Sequence, residues 1–306
     1  HIDYQQPDGS FQHRFFSMGV QALPIWSICA GDLDNNGWND LLFGGNSHVS
    51  FLLAQADGAG FVESLMPDFI FSQRTTLSDI DLDGDLDAFV CRDDGKSQTF
   101  RNYGAGNMAL DQTLLNTSNL PGNYSAIWTD YDNDGYTDLY ITKCLATGMP
   151  GNPARTNLLY HNNGNGTFTE KGAAAGLDDN AQSWSTVFED FDNDGDFDAF
   201  IVNHDQGNRL FQNNGDGTFA NIIAASGIDE FDLGDRAGVA FARGDAKALR
   251  GGLLACLRGG QRSLRGAQAI CRLAHFQRDL AGHLVACNLC ALQRGPRRGD
   301  ATATLA

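Results

Sequence analysis

Four nine-residue segments of this chain superimpose without gaps: Asp32 to Asp40, Asp79 to Asp87, Asp130 to Asp138 and Asp190 to Asp198. All fit D-x-[DN]-x-[DN]-G-x-x-D, and their starts stand 47, 51 and 60 residues apart. A motif that recurs at this distance marks units the size of propeller blades, longer than the coils of short solenoids. Every loop runs into a short apolar stretch, such as Leu139 to Thr142 or Ala199 to Val202, which reads as a strand. An aromatic residue stands six positions before three of the loops, at Trp26, Tyr124 and Trp184.

A second landmark follows 25 or 26 residues after loops one, two and four start, and 34 after loop three starts. Asn162-Asn-Gly-Asn-Gly-Thr-Phe168 and Asn213-Asn-Gly-Asp-Gly-Thr-Phe219 set Asn-Gly and Asp-Gly pairs between apolar runs, the strongest short-range hairpin signal. Weaker forms are Asp57-Gly-Ala-Gly-Phe61 and Asn102-Tyr-Gly-Ala-Gly106, and Asp8-Gly-Ser-Phe11 reads as the tail of a preceding unit. Each unit then holds an incoming strand, an acidic loop, an outgoing strand and a hairpin: four antiparallel strands. The third unit carries an insertion near Thr147 to Arg155, whose Pro and Gly content suits a surface loop. Tolerated length variation and a binding loop are the two readings of it.

Alternating carboxylates cannot diverge if the Gly at position six folds the segment back. Two charges about 4 Å apart repel by roughly 4 kcal/mol at an effective dielectric near 20, so the cluster calls for a cation. Ca²⁺ accepts six to eight hard oxygens in irregular geometry. Positions one, three, five and nine offer side-chain oxygens and position seven a backbone carbonyl. That gives Asp32, Asp34, Asn36, Trp38 and Asp40 in the first loop, and Asp79, Asp81, Asp83, Asp85 and Asp87 in the second. The third supplies Asp130, Asp132, Asp134, Tyr136 and Asp138, and the fourth Asp190, Asp192, Asp194, Asp196 and Asp198. Gly37, Gly84, Gly135 and Gly195 permit the positive φ of the turn. An EF-hand is excluded, because its Glu at position twelve is replaced by Phe43, Val90, Ile141 and Ile201. The first loop has Asn36 at position five and only three carboxylates, which predicts the weakest site.

Charge sharpens this reading. The chain carries 38 acids against 21 bases, a formal net of −17, which argues against nucleic acid or an anionic membrane as partner. Of those acids 35 precede residue 243, and 17 of them sit in the four loops, so much of the acidity is site chemistry. No run approaches the roughly 20 apolar residues of a transmembrane helix, and no signal-peptide pattern opens the sequence.

On these residues the chain resembles the FG-GAP and VCBS repeat family, the blades of integrin α-subunit-like β-propellers. The pairing of Tyr131-Asp-Asn-Asp-Gly135 with Asn213-Asn-Gly-Asp-Gly-Thr-Phe219 is most similar to the bacterial and cartilage-acidic-protein branch associated with ASPIC/UnbV segments, although no such segment is evident. The resemblance covers residues 1–242. It implies an all-β β-propeller with calcium in loops on one rim, incomplete here at about four blades plus fragments. It also implies an extracellular or otherwise extracytoplasmic setting (secreted, periplasmic or cell surface), and adhesion or binding of a polysaccharide or protein ligand rather than catalysis.

The domain division expected is a repeat region over 1–242, with a partial blade over 1–25 and a fifth unit begun at about 236, and a distinct tail over 243–306. Where a fifth acidic loop is due, the chain reads Arg243-Gly-Asp-Ala-Lys-Ala-Leu-Arg250, and the tail holds 11 of the 21 bases. A reading-frame change or a chimaeric gene is the simplest account. Otherwise the tail is an amphipathic helical or disordered segment, or a zinc site built from Cys287-x-x-Cys290 with Cys256, Cys271, His275 or His283, for which a single CxxC is weak support.

The competing function is a calcium-dependent polysaccharide lyase, which needs a proton-abstracting base. Lys143, His161, His204 and Asp205 are the reachable candidates, yet none stands in a recognisable constellation. Lys96, Lys143 and Lys171 are the only lysines before residue 242. Cys29 and Cys91 read as buried strand residues, and three sequons, at Asn116, Asn123 and Asn165, are compatible with secretion.

Overall fold

The computed structural model describes residues 2–226 apart from 7, 15–19, 22, 56–59 and 146. The tail, the fifth unit and the tip of the Asp57-Gly hairpin lie outside the described residues. Two strands, β1 (Ile2–Gln5) and β2 (Phe11–Arg14), form an antiparallel hairpin closed through Gly9 at φ 82°.

Four four-stranded sheets follow, each a meander in sequence order. The first comprises β3 (Ser27–Gly31), β4 (Asp40–Gly44), β5 (Val49–Ala54) and β6 (Phe61–Leu65). The second comprises β7 (Ser72–Ser78), β8 (Asp87–Arg92), β9 (Gln98–Asn102) and β10 (Met108–Leu110). The third is β11 (Asn123–Thr129), β12 (Asp138–Lys143), β13 (Leu158–Asn162) and β14 (Phe168–Glu170). The fourth is β15 (Ser183–Glu189), β16 (Asp198–Asn203), β17 (Arg209–Asn213) and β18 (Phe219–Asn221). First strands meet across neighbouring sheets, β3 with β7, β7 with β11 and β11 with β15. The described part of the chain is thus all-β, with four propeller blades among the described residues.

The apolar core lies between the blades, and the second strand of a blade feeds two cores at once. Ala88 and Val90 of β8 join Leu42, Phe51 and Leu77 between the first two blades. Phe89 and Cys91, pointing the other way, join Ala126, Leu139 and Ile141 between the second and third. Tyr140, flanked by those last two residues on β12, faces Phe188, Ala199 and Ile201 between the third and fourth. Successive side chains leave a strand on opposite faces, so a strand covered on both faces reads as a continuous apolar run. Cys29 and Cys91 are buried and, with the half-buried Cys144, belong to no disulfide.

Three details refine the sequence reading. Tyr124 and Trp184 sit at register shifts in β11 and β15, between Asn123 and Ser125 and between Ser183 and Ser185, with Gln73 at the matching place in β7. The insertion forms a short 3-10 turn, Pro153–Arg155, tied to the fourth blade: the buried Arg155 donates to Gly148 O (2.9 Å) and Asp205 Oδ2 (2.5 Å). Asn116 and Asn165 are exposed, whereas Asn123 is buried, donating to Arg92 O and Gly95 O, so its sequon is unavailable in the folded chain.

Candidate metal centres on the acidic rim

Each acidic loop connects the first and second strands of its blade, so all four belong to one rim. The geometry is built by side chains that accept from the loop's own backbone. The first Asp accepts at one oxygen from the fifth N–H and at the other from the Gly N–H. In loop three these bonds are Asp134 N to Asp130 Oδ1 (3.1 Å) and Gly135 N to Asp130 Oδ2 (3.0 Å). Asp32, Asp79 and Asp190 repeat the pattern. The glycines stand at φ 91° to 101°, where an L side chain is strained. Position four is also left-handed, at Asn35, Leu82, Asn133 and Asn193, with φ from 56° to 64°. No motif position marked that requirement.

The ninth Asp does more than close the loop. Asp40, Asp87, Asp138 and Asp198 are buried, and each uses both oxygens on backbone N–H groups. Asp87 accepts from Ile80 N (3.0 Å) within its loop and from Asn102 N (2.8 Å) at the end of β9. Asp40, Asp138 and Asp198 do likewise, with Leu33 and Ala54, Tyr131 and Asn162, and Phe191 and Asn213. Burial drives these carboxyls upward against the bonds that favour ionisation: Asp198 to about 6, Asp87 to about 7 and Asp138 to about 8, with Asp40 raised as well.

The bond to Asn102 joins the two sequence landmarks into one device. Asn102 Nδ2 donates to Leu33 O in the preceding blade (2.7 Å) and to Leu86 O (3.2 Å), while its Oδ1 accepts from Gly104 N (3.1 Å). Asn213 repeats this with Tyr131 O, Phe197 O and Gly215 N. Adjacent loops are also linked directly, by Asn35 Nδ2 to Asp85 Oδ1 and Asn133 Nδ2 to Asp196 Oδ1, both 2.6 Å. The seventh-position acids of loops two and four thereby serve their neighbours. Between loops two and three the matching residues are Leu82 and Tyr136, which form no such bond.

Ligand-bearing atoms converge in every loop. Asp32, Asp34 and Asp40, Asp79, Asp81 and Asp87, and Asp130, Asp132 and Asp138 each bring three oxygens within 4.8 Å of one another. In the fourth loop the convergent set is Asp190, Asp192 and Asp194, with Asp198 outside it. Asp81 Oδ1 and Asp132 Oδ1 are buried without a hydrogen-bond partner, which a cation would supply. Asn36 takes the fifth position of loop one as an amide, its Nδ2 donating to Asp34 Oδ2 (3.1 Å) and Ala54 O (3.1 Å). At position seven Trp38 and Tyr136 keep partly exposed side chains, and the Tyr136 ring lies against Gly164 of its own blade. His161 is a member of the third cluster that the motif did not reveal, because it comes from β13.

The other base candidates lie away from this rim. Lys143 is fully buried at the end of β12, donating to Asn123 Oδ1 (2.7 Å) and Leu120 O (3.1 Å), and burial lowers its pKa to about 8. His204 stacks on Trp184 with ring centroids 4.6 Å apart, and Asp205 is held by Arg155.

Blades with an acidic loop between their first two strands and a Gly-rich hairpin between their last two define a class of repeat protein. The FG-GAP-like repeat model matches residues 79–141, 145–201 and 190–245, more than half of the chain, and the protein belongs to that family. Among curated proteins the chain has no match. Its fold is similar to that of a lectin from Agrocybe aegerita that recognises non-reducing terminal N-acetylglucosamine, at 19% identity over 62% of this chain and 49% of that one, with a TM-score of 0.41. It is also similar to the V. cholerae biofilm matrix protein Bap1, at 16% identity over 63% of this chain and 27% of that one, TM-score 0.39. A putative 6-phosphogluconolactonase from Bacteroides uniformis matches at 11% identity over 72% of this chain and 62% of that one, TM-score 0.43. The chain spans about half of the lectin and about a quarter of Bap1. Among the described residues no helix is long and apolar enough to cross a membrane.

Proposed function

We propose that the protein is a calcium-binding, extracellular, non-catalytic repeat module whose metal-stiffened blades present a surface to a polysaccharide or protein ligand in adhesion. The observation that carries this reading is the fourfold recurrence of three carboxylates with oxygens within 4.8 Å, held on one rim by the same backbone bonds. Ionised carboxylates crowded in this way repel one another, and a divalent ion among them relieves that repulsion. Ca²⁺ suits the all-oxygen sets best. Loop one, with Asn36 in place of an acid, is the weakest of the four. Modules of this kind bind Ca²⁺ with Kd about 10⁻⁴ to 10⁻³ M, a range filled outside cells and empty in the cytosol. A binding role accords with the burial of Lys143 and the engagement of His204 and Asp205 by neighbouring side chains.

Titration calorimetry and thermal melting of the full chain, with Ca²⁺ and with a chelator, test the reading. A single site at 100 times its Kd stabilises the fold by about 2.7 kcal/mol. A clear rise in Tm on adding Ca²⁺ is expected. Absence of binding heat together with identical melts in both conditions would remove calcium from the account. Glycan and matrix-protein arrays probed with the Ca²⁺-loaded chain address the ligand.

A further inference from the structure

The residue just before the one whose N–H meets the ninth Asp has the same register in every blade: Leu53, Arg101, His161 and Gln212. In three blades its side chain reaches the third-position carboxylate of its own loop. Arg101 pairs with Asp81, and its Nε also holds Asp111 Oδ2 (2.9 Å). Gln212 Nε2 donates to Asp192 Oδ2 (2.5 Å). His161 places Nδ1 3.4 Å from Asp132 Oδ2 and 3.2 Å from Asp138 Oδ1, with Nε2 3.9 Å from Asp134 Oδ2.

Those contacts differ from an ordinary histidine–aspartate bond. His161 Nδ1 is buried, yet it is aligned for a hydrogen bond with no neighbour, and Asp132 Oδ1 in the same cluster is also buried and unpartnered. Asp132, Asp134 and His161 each bring one ligand atom within 4.8 Å of the others. Metal–nitrogen and metal–oxygen bonds of about 2.0–2.2 Å at tetrahedral or octahedral angles set adjacent ligand atoms about 2.9–3.5 Å apart. The separations of Nδ1 from Asp132 and Asp138 lie in that interval.

We propose that the third loop is a mixed nitrogen–oxygen site that takes a first-row divalent transition ion in preference to calcium, with His161 as the ligand that decides it. This rests on the reading of the acidic loops as cation sites. Ca²⁺ favours oxygen, whereas imidazole suits Zn²⁺, Co²⁺ and their neighbours. At the same register Leu53 offers no donor atom, Arg101 is a permanent cation and Gln212 offers at most an amide oxygen. Loops one, two and four therefore keep all-oxygen sets.

The test compares the full chain with His161→Gln, which installs the side chain that blade four carries at this register. Co²⁺ binding is followed by visible d–d absorption and calorimetry, each repeated in excess Ca²⁺. The expected result is one Co²⁺ per chain that resists Ca²⁺, shows nitrogen–oxygen ligation without thiolate charge-transfer bands, and weakens at least tenfold in His161→Gln. The variant should keep the wild-type melting profile in chelator and its Ca²⁺ binding at the other loops. Co²⁺ binding that His161→Gln leaves unchanged overturns the proposal, including the case in which thiolates of the Cys256 to Cys290 segment hold the ion. Displacement of Co²⁺ by stoichiometric Ca²⁺ overturns it too, while sparing the calcium reading. If Ca²⁺ binds nowhere and Co²⁺ still depends on His161, the calcium reading falls and this inference stands. Binding of neither ion overturns both.

Discussion

Asn102→Ala probes how blades are fastened at the acidic rim. The side chain is fully buried, and its loss strands Leu33 O, Leu86 O and Gly104 N, which now lie 2.7, 3.2 and 3.1 Å from its polar atoms. A buried polar group left without a partner costs about 1–3 kcal/mol. The two carbonyls share one amide and Gly104 is near the surface, so the sum is not three full penalties; about 3 kcal/mol is expected. Asn213→Ala should match it, since its bonds to Tyr131 O, Phe197 O and Gly215 N are the same in kind. Asn162→Ala should cost less, about 1–2 kcal/mol, because Asn162 reaches Thr137 O at 3.3 Å and Gly164 N at 3.1 Å within its own blade only. Urea denaturation of the full chain in saturating Ca²⁺, followed by tryptophan fluorescence, gives the three midpoints. Equal losses for Asn102→Ala and Asn162→Ala, or a loss below about 1 kcal/mol for Asn102→Ala, would refute the claim that these amides fasten one blade to the next.

Two further outcomes follow from the described geometry. Lys143 has its pKa lowered by burial from 10.5 to about 8, so between those values the unfolded chain holds a proton that the fold does not. Stability from this group therefore rises with pH across that window, by on the order of 3 kcal/mol, and is flat below it. Subtracting the urea midpoints of Lys143→Met from those of the parent at pH 8 and pH 10 isolates the effect, and equal differences at both values would contradict it. Leu82 holds φ 64° while about half exposed, and Asn tolerates that conformation better than Leu. Leu82→Asn should raise stability by about 0.5–1 kcal/mol. A thermal melt in chelator checks this, and a lowered Tm would count against backbone strain at that position.

What the sequence disclosed were features whose chemistry is local. Gly37, Gly84, Gly135 and Gly195 announce a positive φ, the hairpins announce themselves through Asn-Gly and Asp-Gly, and apolar runs announce strands covered on both faces. Position nine was legible as an acid but not as a clamp, since its partner Asn102 lies fifteen residues on and only pairing of β8 with β9 brings them together. His161 was visible as a lone histidine near a strand end. Its place in the third loop depends on β13 lying beside β12, a register fact with no signature in nine residues of motif. The anchoring of the insertion by Arg155 was equally hidden, because its acceptor Asp205 belongs to another blade.

The alternation of Asn35–Asp85 and Asn133–Asp196 pairs with a gap at Leu82 and Tyr136 gives the rim two kinds of seam. The outer seams are polar and close through an amide and a carboxylate. The central one has no such pair; beneath it Phe89 meets Trp128 edge-on at 6.3 Å and Trp128 Nε1 donates to Thr76 Oγ1 (3.0 Å). Apolar contact weakens on cooling, while bonds to exposed carboxylates soften as salt screens them. Cold thus pulls at every joint between blades, since an apolar layer lies in each, whereas brine pulls first at the two that an amide and a carboxylate close.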